Sequence, residues 1–202
     1  MGTISRGGTG GARSALVEAA SALLTRGGPE YVTLRAVGAA AGVSRTAPYR
    51  HFSDKDDLLS AVAAQSMDRL TQAMWQAADD EAAGGTRLHR ACIAYVRAAR
   101  EMPAHYRLMF GDIAIDTPSE ELERATDACA KVLCTLVIEA KGDGELAAGG
   151  VREAGTLLWA ALHGLVDLTL SRRLREPRTV DGVEGMPDLV ELALRNWVAV
   201  KG

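Results

Sequence analysis

Between Thr33 and Leu59 the chain reads TLRAVGAAAGVSRTAPYRHFSDKDDLL, and the residue types in this run suit the chemistry of a phosphate polyanion. Thr33 and Ser44 each stand where a helix starts. Each therefore brings unpaired backbone N–H groups to a place where they can donate to a phosphate oxygen. Arg45, Thr46 and Ala47 fill the first turn after Ser44, the part of such a helix that meets base edges. Tyr49 and His51 follow on the side of the flanking backbone, and Lys55 opens the next helix within reach of another phosphate. Gly42 breaks the first short helix and the apolar Val43 follows it. Two short helices around such a turn make a helix-turn-helix. In that geometry the first helix crosses the DNA backbone and props the second, whose N-terminal end enters the major groove.

No other run carries chemistry of comparable definition. The chain has no HExxH pair, no Gly-Lys-Ser/Thr phosphate loop and no G-x-S-x-G elbow, so neither enzymatic activity nor a cofactor is expected. His51, His89, His105 and His163 are scattered and define no metal site. Cys92, Cys129 and Cys134 form an odd set in apolar surroundings, which fits reduced, buried thiols better than a disulfide framework. Trp75, Tyr95, His105, Tyr106, Met109 and Phe110 are candidates to line an apolar cavity between helices. Trp159 and His163, one turn apart on an apolar helix, are further candidates for ligand contact, although packing is the simpler role for both.

The elements that position these residues read as helices throughout. A stripe of Leu16, Ala19, Ala20, Leu23 and Leu24 recurs at three-and-four spacing in a first helix from Ala12, which Gly27-Gly28-Pro29 ends. Thr33 caps a second helix and Ser44 a third, through about His51; Ser53 or Asp54 caps a long fourth that glycines 84 and 85 close. A stripe from Leu88 to Ala99, a short helix from Pro103 to Phe110 and a stripe from Leu122 to Leu136 follow. The acidic run Glu120-Glu121-x-Glu123 reads as the start of that last stripe's helix, where the dipole favours negative charge. Thr156 to Leu170 is apolar on several sides, so it needs shelter from its own domain or from a second subunit. A final helix runs from about Asp188 to Val200. The expectation is an all-α fold of about nine helices, without strands or internal repeats.

Charge is divided unevenly along the 202 residues. The net −3 hides seven Lys and Arg against three acids up to Lys55, and sixteen against twenty-three beyond it. A basic end on an acidic body points towards nucleic acid. With 48% apolar and 24% charged residues, the chain is an ordinary globular protein able to bury a core without staples. No apolar run approaches the ~20 residues of a membrane span, and MGTISRGGTGGARS lacks the apolar stretch of a signal peptide. A cytoplasmic location without membrane contact is expected. The Gly-rich residues 1–11 read as a flexible arm, in which Arg6, with Arg13 just beyond, could touch a DNA backbone.

Taken together, Leu34, Arg35, Val37, Ala41, Gly42, Val43, Ser44, Tyr49, Arg50, His51, Phe52, Lys55, Leu58 and Leu59 form the run L-R-x-V…A-G-V-S…Y-R-H-F…K-x-x-L-L. With the preceding helix, this run resembles the TetR family of bacterial transcriptional regulators over residues 12–60. Tyr106-Arg107-Leu108-Met109-Phe110-Gly111 and Trp159…His163-Gly164 are similar to one subgroup of the family. The resemblance implies a three-helix DNA-binding unit over 12–58, a helical effector-binding and dimerisation domain over 59–202, and a homodimer formed by the last two helices. By position, Thr33, Arg35, Ser44, Tyr49, His51 and Lys55 match phosphate contacts, and Arg45, Thr46 and Ala47 match base-reading sites. Pro48 departs from the family, where many members carry an aliphatic residue, and bears on the geometry of the recognition helix. The function implied is a repressor on double-stranded operator DNA, released by a small molecule. Two other classes answer to different assays. A helical ligand-binding or catalytic protein with a vestigial helix-turn-helix would not shift the promoter DNA next to its own gene. An architectural DNA binder would not distinguish operator from random DNA.

Overall fold

The computed structural model describes residues 9–111, 115, 118–144, 146 and 150–173. It is all-α, with no strand among the described residues. Seven α-helices appear: α1 (Thr9–Gly27), α2 (Leu34–Ala40), α3 (Lys55–Asp79), α4 (Arg87–Glu101), α5 (Pro103–Phe110), α6 (Glu120–Gly142) and α7 (Val151–Leu170). Short 3-10 turns occupy Pro29–Tyr31, Pro48–Arg50 and Glu81–Ala83. The helix expected at 188–200 lies outside the described residues, and so does its share of a dimer contact.

Several boundaries follow directly from local chemistry. Gly28 at φ 75° ends α1, and Gly42 at φ 67° ends the turn after α2, conformations that cost a residue without Cβ little. Thr33 caps α2 by accepting from the Ala36 N–H at 3.1 Å. Asp54, rather than Ser53, caps α3: its Oδ1 accepts from the Asp57 N–H at 2.8 Å, while Asp57 accepts in return from the Ser53 N–H at 2.9 Å. Pro103 opens α5, as expected of a residue whose missing N–H is not needed there. α6 begins at Glu120 with three glutamates in its first turn, and Ser119 caps it through the Leu122 N–H.

The expected third α-helix is not formed. Between Ser44 and Phe52 the backbone closes short turns, from the Ala47 N–H to the Ser44 carbonyl at 3.0 Å and from Arg50 to Ala47 at 3.1 Å, with an i→i+4 bond only from Phe52 to Pro48 at 2.9 Å. Pro48 has no N–H to donate to the Ser44 carbonyl, so the first α-helical bond is missing and the tighter winding takes its place. Ser44 accordingly caps nothing through its side chain, whose Oγ lies 3.5 Å from the Thr46 hydroxyl.

The chain divides into two compact units, residues 1–67 with 104–126, and residues 68–103 with 127–202. The boundary expected at 58/59 falls inside α3. In the first unit Leu16, Val17, Ala20 and Leu24 of α1 pack with Val37 of α2, Phe52, Leu58, Leu59 and Val62 around one core, which Leu108 of α5 joins. Met109, Ile115 and Leu122 cover its side. Polar ties fasten the later segment onto the earlier one. Buried Ser21 and His105 bond at 2.7 Å. Ser60 Oγ donates to Ser119 Oγ and accepts from its N–H, both at 2.9 Å. Arg13, expected from the sequence beside a DNA-touching arm, belongs to α1. It pairs with Glu121 at 2.5 Å, with its guanidinium 5.3 Å from the Phe52 ring centre.

In the second unit α4 and α7 pack together, and Leu88, Cys92, Tyr95 and Val96 of the first and Leu158, Leu162 and Val166 of the second are buried. Arg90 holds the end of α3. Its guanidinium donates to the carbonyls of Ala77 at 3.1 Å, Ala78 at 2.6 Å and Gly85 at 2.5 Å. These include the orphan carbonyls of a helix C-terminus. Cys92 and Cys129 are buried as expected, but Cys134 is exposed, because it sits on the outward side of α6. Leu157 and Leu168 of α7 and Ile138 of α6 are exposed too, so the apolar flank of α7 is only partly sheltered.

Candidate nucleic-acid interface

The helix-turn-helix is built on α1 and α2. α2 packs on α1 through its buried Leu34 and Val37, and its third buried residue, Gly38, receives the ring of Pro48. A Cβ on Gly38 would lie 2.8 Å from Pro48 Cγ, so only glycine lets the reading segment sit this close to α2. The Val43 N–H donates to the Gly38 carbonyl at 3.1 Å and closes the turn on the same residue. Pro48 and Phe52 are buried and anchor the segment from within.

This anchoring leaves the side chains between them facing solvent. Thr33, Arg35, Ser44, Arg45, Thr46 and Tyr49 are exposed, while Ala47, His51 and Lys55 are partly so. The nine residues selected from the sequence therefore lie in or beside one helix-turn-helix, and none is lost to the core. Among the described residues, Arg35, Arg45, Arg50 and Lys55 form no ion pair, in contrast to Arg13 and Arg87, whose charges carboxylates meet. Unpaired cations on one exposed element suit a polyanion, since each is free to displace a counterion. Arg50, beside Tyr49, is exposed as well.

The eight ligand candidates fall into both units. His105, Tyr106, Met109 and Phe110 belong to the first, where His105 is occupied by Ser21 and Tyr106 stands 5.1 Å from Phe110, ring centre to ring centre. Trp75, Tyr95, Trp159 and His163 belong to the second. There Trp159 stacks on His163 at 4.9 Å, and Tyr95 Oη bonds His163 Nε2 at 3.1 Å. Trp75 is half-buried on α3. A cavity of 340 Å³ in the same unit is lined by other residues, among them Gln76 of α3, Asp80 just beyond it, and His89, Arg90, Ile93 and Arg97 of α4. The seven-residue spacing of Arg90 and Arg97 was the available sequence signal, since it puts both on one side of a helix.

Burial pushes His163 down to a pKa of about 4, so the ring is neutral at pH 7. The unfolded chain takes up this proton near pH 6.5, whereas the folded one resists it until about pH 4. Stability from this group is therefore complete above pH 6.5 and is lost as the pH falls towards 4. For a partly exposed ring the loss should be no more than about 2 kcal/mol. Urea unfolding of the wild type and of His163→Gln at pH 7 and pH 5 checks it: the wild type should lose more stability between the two than the variant.

The fold and its exposed reading head define a DNA-binding transcriptional regulator. Residues 16–62 match the family described as bacterial regulatory proteins, tetR family, and residues 88–196 match the tetracyclin repressor-like C-terminal domain. The chain belongs to the tetR family. A protein with unknown function from Rhodococcus sp. RHA1 is similar at 25% identity, with a TM-score of 0.78 over 98% of this chain and 100% of that one. A TetR family transcription regulator from Marinobacter aquaeolei VT8 is similar at 23% identity and a TM-score of 0.61, covering 91% of each chain. SmeT, the repressor of the Stenotrophomonas maltophilia multidrug efflux pump SmeDEF, is similar at 21% identity and a TM-score of 0.62, over 94% of this chain and 91% of SmeT. No protein of curated function matches the chain.

Proposed function

We propose that the chain acts in the cytoplasm as a homodimeric repressor that leaves its operator when a small molecule binds the helical domain. The observation that carries this reading is the set of unpaired cations and exposed hydroxyls on the helix-turn-helix. In it, Thr33, Arg35, Ser44, Tyr49, His51 and Lys55 meet phosphates, and Arg45, Thr46 and Ala47 face base edges. Two copies of the reading segment, about 34 Å apart, fill successive major grooves of a palindrome-like site. The exposed Ile138, Leu157 and Leu168 suit a subunit contact that adds the last helix, and the role of SmeT as a repressor supports the same sign of regulation. An effector that prefers a different spacing of the two heads draws the dimer off DNA, for which a differential affinity of a few kcal/mol suffices. The Tyr95–His163–Trp159 cluster and the 340 Å³ cavity are the places in the second unit to seek it. No enzymatic activity, cofactor or metal is part of the reading.

Its test is binding to a duplex enriched by the full chain from a randomised pool. Arg45→Ala should relax preference at one base position of each half-site by about 1–3 kcal/mol. Lys55→Ala should weaken every duplex alike and flatten the salt dependence by about one unit per head. Binding that ignores salt and both substitutions would exclude this docking.

A further inference from the structure

We propose that Arg50 is a specificity-determining residue that reads a guanine edge in line with Ala47, an inference that rests on the DNA-binding reading above. Its basis is the winding of the segment. In an α-helix, 3.6 residues per turn would put His51 as near to the line of Ala47 as Arg50. The i→i+3 bonds from Arg50 to Ala47 at 3.1 Å and from His51 to Pro48 at 3.0 Å close one 3-10 turn over Pro48–Arg50, so Arg50 falls close to the line of Ala47 and His51 close to that of Pro48.

Burial agrees with this register. Pro48 is buried and His51 is partly buried beneath it, whereas Arg50 is exposed. The register cannot easily slip, because the Pro48 ring is seated on bare Gly38. Arg50 also has no competing duty: among the described residues its guanidinium makes no hydrogen bond or ion pair. A planar fork with parallel N–H donors, free of partners and carried on a fixed turn, matches the O6 and N7 acceptors of guanine.

The experiment is selection from a randomised duplex pool by the wild-type chain, repeated with Arg50→Ala and Arg50→Lys, each checked for an unchanged thermal midpoint. The wild type should enrich a two-fold symmetric site with a guanine in each half. Arg50→Ala should lose that guanine while keeping the remaining positions, and should bind the wild-type site about 5- to 150-fold more weakly with little change on random duplex. Arg50→Lys keeps the charge but not the fork, so it should lose much of the same preference with an unaltered salt slope. An unchanged enriched site in Arg50→Ala would overturn the inference and leave the DNA-binding function standing. Equal loss on enriched and random duplexes with a flatter salt slope would also overturn it, since it marks a phosphate contact. A wild type that enriches no sequence would refute the sequence-specific function itself, and the base reading with it.

Discussion

Gly38→Val is expected to abolish sequence-specific DNA binding and to destabilise the first unit by about 2–3 kcal/mol, the cost of overpacking a close contact. The added Cβ alone falls 2.8 Å from Pro48 Cγ, and an atom in a ring tied to the backbone at both N and Cα cannot swing far aside as a chain end would. The branched methyls then press on Val43 as well, whose Cγ2 is 3.9 Å from the new Cβ. Either α2 or the reading segment must move, and both form the DNA-facing surface. Urea unfolding and binding to the enriched duplex measure the two effects. The double variant Gly38→Val with Pro48→Ala supplies the control: removing the ring should return part of the lost stability, and a strictly additive pair would show that the contact is not the cause.

Arg90→Ala should cost the second unit about 2–4 kcal/mol, with DNA contacts of the head untouched. One guanidinium serves the carbonyls of Ala77, Ala78 and Gly85, the first two in partly buried bonds. Charge-assisted bonds of this kind contribute about 1.5–3 kcal/mol each when buried and less when solvent can replace them. Truncation strands the last turn of α3 without a partner, so the thermal midpoint should fall by several degrees. Arg90→Lys should lie between, because an ammonium cannot reach three acceptors in a fork. A variant within about 0.5 kcal/mol of the wild type would show that water satisfies these carbonyls equally well.

What the amino-acid order revealed depended on how local each device is. The Thr33 cap, the choice of Ser53 or Asp54 for the cap of α3 and the Pro103 start act within one or two turns, and all were legible. Trp159 and His163 stack because they are four residues apart on a helix. Ser44 misled because a cap signal says nothing about whether the ladder behind it can form. The reason, Pro48, was visible, but its seat on Gly38 is a tertiary contact that no periodicity encodes. The sequence points His105 towards a cavity, whereas its partner Ser21 lies 84 residues earlier in the chain. Arg13 was read towards DNA for a similar reason, its carboxylate partner being 108 residues away. Cys134 has apolar sequence neighbours, yet the turn of α6 carries it outward. The exposure of Thr33, Arg35, Ser44, Arg45, Thr46 and Tyr49 was foreseeable, because exposure at a helix-turn-helix follows from which positions the core claims.

The closure of the first core by Leu108, Met109 and Leu122 bears on how the molecule is made. A ribosome delivers the helix-turn-helix first, but the side chains that finish its core arrive only as residues 104–126 emerge. Until then Leu58, Leu59 and Val62 lack part of their cover, and the polar groups of Ser21 and Ser60 await their partners. Chains generally fold by domains in order of synthesis, yet here the DNA-reading end matures after more than half of the protein has been translated. A nascent chain that stalls early would thus carry the whole reading sequence without the packing that sets it.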